Sequence, residues 1–191
     1  MNDPVTLAFG DSLTAGYGLA SDQAFPAQLE RALRRRWPAA RVLNAGVSGD
    51  TTASALSRLP RVLSGLSARP DLAIVELGAN DLLRGIEPAR MRANLDAILH
   101  QMTQAGIAPL VAGMLAPPFL PYAGEFAAVF ADVAQAHGAP LYPFFLDGVV
   151  GDPMLTLMDG MHPNARAIGI VTERILPHVE AALEGRLRAA A

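Results

Sequence analysis

Short runs of β-forming residues alternate with amphipathic helical stretches from one end of this chain to the other, and that alternation is its strongest constraint. Parallel strands cannot be joined by a tight turn, so each pair needs a crossover, and a helical crossover covers one face of the sheet. The pattern therefore predicts an α/β protein, a parallel sheet between two layers of helices. Strands are expected at 5–9, 42–45, 72–77 and 110–113, with a weak one near Leu141. Between them Phe25, Leu29, Ala32, Leu33 and Trp37 share one helical face, as do Met91, Leu95, Ile98 and Met102, and again Phe126, Val129, Phe130 and Val133. Leu56, Leu59 and Leu63 mark a further helix that Pro60 is expected to kink, and the last helix, about 164–183, is expected to be interrupted at Pro177.

No repeat, linker or low-complexity tract divides the 191 residues, which predicts one domain over 1–191. With 51% hydrophobic and 17% charged residues the chain is globular, and no apolar run reaches the roughly 20 residues a membrane helix needs, so stable membrane insertion is not expected. A net charge of -3 provides no positive field for phosphates, which argues against nucleic acid as a partner. The absence of cysteine excludes disulfides, thiolate metal sites and a cysteine nucleophile. Residues 1–4 lack a basic n-region and 5–9 are too short for a signal core, so the chain as written reads as cytoplasmic. A chain whose signal had been removed would look the same, which leaves a periplasmic or secreted protein open.

In an open parallel sheet, ligands bind at the carboxyl ends of the strands. Four loops predicted at that edge carry the chemistry. The first is Gly10-Asp11-Ser12-Leu13, which presents a hydroxyl and its own amide at a strand-to-loop corner, although the same letters spell a helix cap. The second is Asn44-Ala45-Gly46-Val47-Ser48-Gly49-Asp50-Thr51, where Gly49 lets backbone N–H approach a ligand, and Asp50 or Thr51 could equally cap a helix. Gly78-Ala79-Asn80-Asp81 places an amide side chain at the end of the most apolar strand, again with capping as the alternative. The fourth is Asp159-Gly160-Met161-His162-Pro163-Asn164, where three residues let carboxylate and imidazole meet across a turn, and Pro163 favours an extended His162 and suits the first turn of the next helix. Together they supply a nucleophile, two oxyanion donors and an acid–base pair. His100, His137 and His178 read as solvated helix positions, Arg34-Arg35-Arg36 as a solvated helix end, and Asp11, Asp50 and Asp81 as carboxylates that fix loops.

This ordered set of blocks, spread over essentially the whole chain, resembles the SGNH hydrolases, also called GDSL esterases. Asn-Ala-x-x-Ser-Gly-Asp-Thr at 44–51 and Pro-Leu-Tyr-Pro-Phe-Phe at 140–145 look most like the bacterial arylesterase and acyl-CoA thioesterase I group of that family. The resemblance implies a five-stranded, flavodoxin-like sheet. It also implies Ser12 as nucleophile, Asp159 and His162 as the rest of a triad, and an oxyanion hole from the Ser12 amide, Gly49 and Asn80. Ala79 departs from the glycine of some relatives, which leaves loop movement there unassigned.

The expected activity is hydrolysis of small aryl or short- to medium-chain acyl esters, or acyl thioesters, through an acyl-enzyme and without metal or cofactor. The acyl side is expected to be lined by Leu115, Pro117, Pro118, Phe119 and Leu120, with Met158 and Met161 nearby, although core filling explains the methionines equally well. Two competitors are a carbohydrate acetylesterase of the same fold and a flavodoxin-like binding module. The first is disfavoured by the single Trp, placed in a core stripe, and the second by the lack of G-x-G-x-x-G or a Lys-containing phosphate loop.

Overall fold

In the computed structural model, which describes residues 3–120 and 122–189, five strands form one parallel sheet. Met1 and Asn2, within the residues 1–4 read above, lie outside the described residues. The strands are β1 (Val5–Gly10), β2 (Arg41–Gly46), β3 (Leu72–Glu76), β4 (Ala108–Ala112) and β5 (Leu141–Tyr142). Their order is β2-β1-β3-β4-β5, the flavodoxin-like arrangement, with its switch point where β1 is flanked by β2 and β3. Gly10 pairs with Gly46 on one side and Glu76 on the other, and Glu76 with Ala112, so the carboxyl ends of four strands finish level.

The helices are α1 (Ser12–Ala15), α2 (Phe25–Leu33), α3 (Thr52–Ser64), α4 (Ala79–Leu83), α5 (Pro88–Gln104), α6 (Ala123–Ala136) and α7 (Ala165–Ala189). Right-handed crossovers at a switch point send the connections to opposite faces. α2 packs on α7 on one face, while α3, α5 and α6 pack in series on the other. Each predicted stripe is buried against the sheet: Phe25 meets Phe145 edge to face at 4.9 Å, and Phe126 meets Phe130 at 5.4 Å. Leu29 has no exposed surface at the centre of the α2 stripe, so Leu29→Ala should cost about 2–5 kcal/mol of stability. Urea unfolding reads that loss directly, and activity per folded molecule should be unchanged; a cost under about 1 kcal/mol would mean that α2 packs loosely.

Two expectations are corrected. Pro177 does not interrupt the last helix: α7 continues through it, as α3 does through Pro60, and both prolines are exposed. His137 is not a solvated position; its side chain is largely covered and its Nε2 lies 2.8 Å from Asp96, joining the end of α6 to α5. The arginine run is a solvated helix end, as expected, and it also makes contacts across the surface. Arg35 makes a two-pronged contact with Glu173 at 3.0 and 3.1 Å, Arg36 pairs with Glu184, and Arg34 bonds the Ala40 carbonyl, so the run links the end of α2 to α7 and to the residue before β2.

Candidate active site

β1 delivers the chain to the crevice at Gly10, and Asp11 turns it into α1 by accepting the Leu13 amide at 3.0 Å. That cap sets Ser12 at the first position of a four-residue helix. α1 lies across the tip of β2 because residue 46 is glycine: a Cβ there would stand 2.7 Å from the Ala15 Cα.

The opposite wall is the loop before α7. Asp159 Oδ1 accepts the amides of Met161 and His162, each at 3.0 Å, and Oδ2 lies 2.6 Å from His162 Nδ1. His162 Nε2 in turn lies 3.1 Å from Ser12 Oγ. A carboxylate, an imidazole and a hydroxyl thus stand in one hydrogen-bonded line, completed by a bond between residues 150 apart in sequence. The two amides and the imidazole hold the Asp159 carboxyl down at about 2, so it is ionised throughout the neutral range. The Tyr17 ring covers one face of His162, centroids 4.4 Å apart. Pro163 sits just outside the helix rather than in its first turn, because Asn164 takes the cap: its Oδ1 accepts the Ala167 amide at 3.1 Å, and its Nδ2 donates to the Met154 carbonyl at 2.8 Å.

The two middle loops meet the same cavity. Gly49 adopts φ of +84°, and its carbonyl accepts from Arg84 Nη2 at 2.8 Å. Thr51, not Asp50, caps α3, and Asp50 instead holds Arg58. Asn80 does not cap α4; its Nδ2 donates to Asp11 Oδ2 at 3.0 Å. Asp81 reaches across to Thr52, accepting from its amide at 2.8 Å and its hydroxyl at 2.6 Å.

Beneath Ser12 lies a carboxyl that sequence reading passed over. Glu76 closes β3 with no exposed surface, and its Oε2 accepts from the Thr14 hydroxyl at 2.8 Å. Burial first, and the Asp11 charge second, push it well above the usual carboxylate range. Burial also pushes Asp11 up to about 6, against the pull of the Leu13 amide and Asn80. The signal available was one acidic residue in an otherwise apolar strand.

The cavity over this line measures about 480 Å³. Ser12, Gly49, Asn80 and His162 form its polar end, and Leu115, Pro117 and Met161 lie in its apolar wall. Pro118, Phe119 and Leu120 do not line it. The Leu120 amide bonds back to the Pro117 carbonyl, a turn that swings Pro118 and Phe119 outward, Phe119 being 83% exposed. Leu120 faces a separate cavity of about 230 Å³. Met158 is likewise fully exposed. The apolar wall is supplied instead by Leu82, Met114, Phe126 and Leu146, with Tyr17 beside the imidazole. Of these, Phe126 had been assigned to a core stripe, and it serves both.

A doubly wound sheet that aligns carboxylate, imidazole and hydroxyl over its carboxyl edge, beside an apolar cavity, defines a class: serine hydrolases of flavodoxin-like topology. Residues 8–167 match the model of the GDSL-like lipase/acylhydrolase family, and the chain belongs to that family. It is similar to the esterase TesA of Pseudomonas aeruginosa, 38% identical over 173 residues that cover 90% of this chain and 85% of that one. It is 37% identical to the thioesterase 1/protease 1/lysophospholipase L1 of Escherichia coli K12, over 84% of this chain and 76% of the relative. Its fold superposes on that of AlinE4, an SGNH-hydrolase family esterase, with a TM-score of 0.80 and 46% identity over 96% of this chain and 98% of AlinE4. The chain is an ester-hydrolysing serine hydrolase. Among the described residues no helix is long and apolar enough to cross a membrane.

Proposed function

We propose that this enzyme hydrolyses aryl esters and short- to medium-chain acyl esters, thioesters among them, through a covalent acyl intermediate on Ser12. The observation that carries this is the unbroken line from Asp159 through His162 to Ser12 at the polar end of an apolar cavity. His162 Nε2 takes the Ser12 proton as Oγ bonds to the acyl carbon, and ionised Asp159 holds Nδ1–H and stabilises the imidazolium. The charge that moves onto the carbonyl oxygen is met by the amides of Ser12 and Gly49 and by the Asn80 side chain. When the intermediate collapses, the bond to the leaving oxygen or sulfur breaks and Nε2 returns the proton to it. Water then adds to the acyl carbon with the same base, and the acid departs, restoring Ser12.

The apolar wall favours an acyl chain over a sugar, since a carbohydrate needs hydroxyl partners and stacking faces, and the single Trp, Trp37, is buried in the core. The test is a series of nitrophenyl esters of increasing acyl length, with sugar acetates in parallel and a fluorophosphonate probe. We expect an optimum at short or medium acyl length, weak deacetylation of sugars, and one phosphonyl adduct on the peptide containing Ser12. An adduct on any other residue overturns the nucleophile assignment, and faster cleavage of sugar acetates overturns the substrate class.

A further inference from the structure

The line of Ser12, His162 and Asp159 leaves unexplained why a carboxylate is buried beside it. Asp11 has no exposed surface, and each of its oxygens receives one N–H: Oδ1 from the Leu13 amide and Oδ2 from Asn80 Nδ2, both at 3.0 Å. The first bond is a helix cap, which Ser or Asn provides about as well as Asp. The second is not needed for capping. It joins the loop after β1 to the loop after β3, across 69 residues of sequence.

What that second bond controls is direction. The two ends of an asparagine amide are nearly the same shape, and only their partners decide which faces where. An ionised carboxylate accepts and never donates, so it requires Nδ2 rather than Oδ1 to face it. One Nδ2 hydrogen is then engaged, and the other is left for the cavity that Asn80 lines. We propose that Asp11 is a positioning residue that aims the Asn80 amide at the developing oxyanion, an inference that rests on the oxyanion role given to Asn80 above. Glu76 adjoins Asp11, and its burial pushes its carboxyl well above the usual carboxylate range, which favours its uncharged form beside Asp11.

The experiment introduces Asp11→Ser and Asp11→Asn, each in the wild-type and the Asn80→Ala backgrounds. Serine keeps an oxygen for the Leu13 amide but does not reach Asn80, while asparagine offers one acceptor oxygen to two donors. If one variant fails to fold by circular dichroism, the other carries the test. Misaiming a donor costs less than deleting it, so kcat should fall about 10- to 100-fold with KM changed by less than about threefold. In the Asn80→Ala background the same substitution should change kcat by less than about threefold, because its target is gone. An equal factor in both backgrounds means that Asp11 acts on α1 alone, and an unchanged kcat in a folded Asp11 variant means that it aims nothing; either overturns the proposal. Wild-type kcat in Asn80→Ala alone would remove the oxyanion reading, and this inference with it.

Discussion

Ser12→Ala is expected to reduce ester turnover by about 10⁴-fold or more while leaving the fold intact, because removing the proposed nucleophile abolishes the covalent route and leaves only the oxyanion donors and binding. The structural cost is small because the hydroxyl is not part of the support of α1: the cap is the Asp11 carboxylate, and the Ser12 backbone carbonyl still accepts from Gly16 and Tyr17. Steady-state hydrolysis of a nitrophenyl ester, with unfolding followed in parallel, separates the two effects. A variant that retains more than about a tenth of wild-type kcat would place the nucleophile elsewhere.

The second large effect is expected at Asn80, where Asn80→Ala lowers kcat by about 100- to 1,000-fold and leaves KM nearly unchanged. The split matters, because a donor that engages charge only as it develops contributes to the transition state and not to ground-state binding. Asn80 caps no helix, and its one side-chain bond among the described residues is to Asp11, so a general collapse of the loop is not expected. An increase in KM at constant kcat would instead make Asn80 a substrate-binding residue.

How far the sequence carried depends on whether its signals were local. Strands and helical stripes repeat within a few residues, so β1 to β4 and the packing faces of α2, α5 and α6 were legible, with boundaries shifted by one or two positions. Ser12, Gly49, Asn80 and His162 could be gathered at one edge because parallel connectivity sends every strand-to-helix loop there. Contacts set by distant partners were not legible. Arg35 finds Glu173 138 positions away, and nothing local in Arg34-Arg35-Arg36 names that partner. The outward turn of Pro118 and Phe119 is marked by a backbone bond from Leu120 to Pro117, which an apolar composition cannot reveal. Glu76 was hidden for a different reason: period and hydropathy identified its strand correctly and gave no weight to the one residue that broke the pattern.

The bond between Ser12 and His162 spans 150 positions, and this has a consequence for the newly made chain. On the proposed assignment, a ribosome releases the nucleophile loop long before the base is synthesised. A nascent chain that stops short of the loop before α7 carries a hydroxyl with no proton acceptor, and so cannot cleave esters while it is still unfinished. Recovery of turnover during refolding then becomes a clock for the docking of the last loop onto the first.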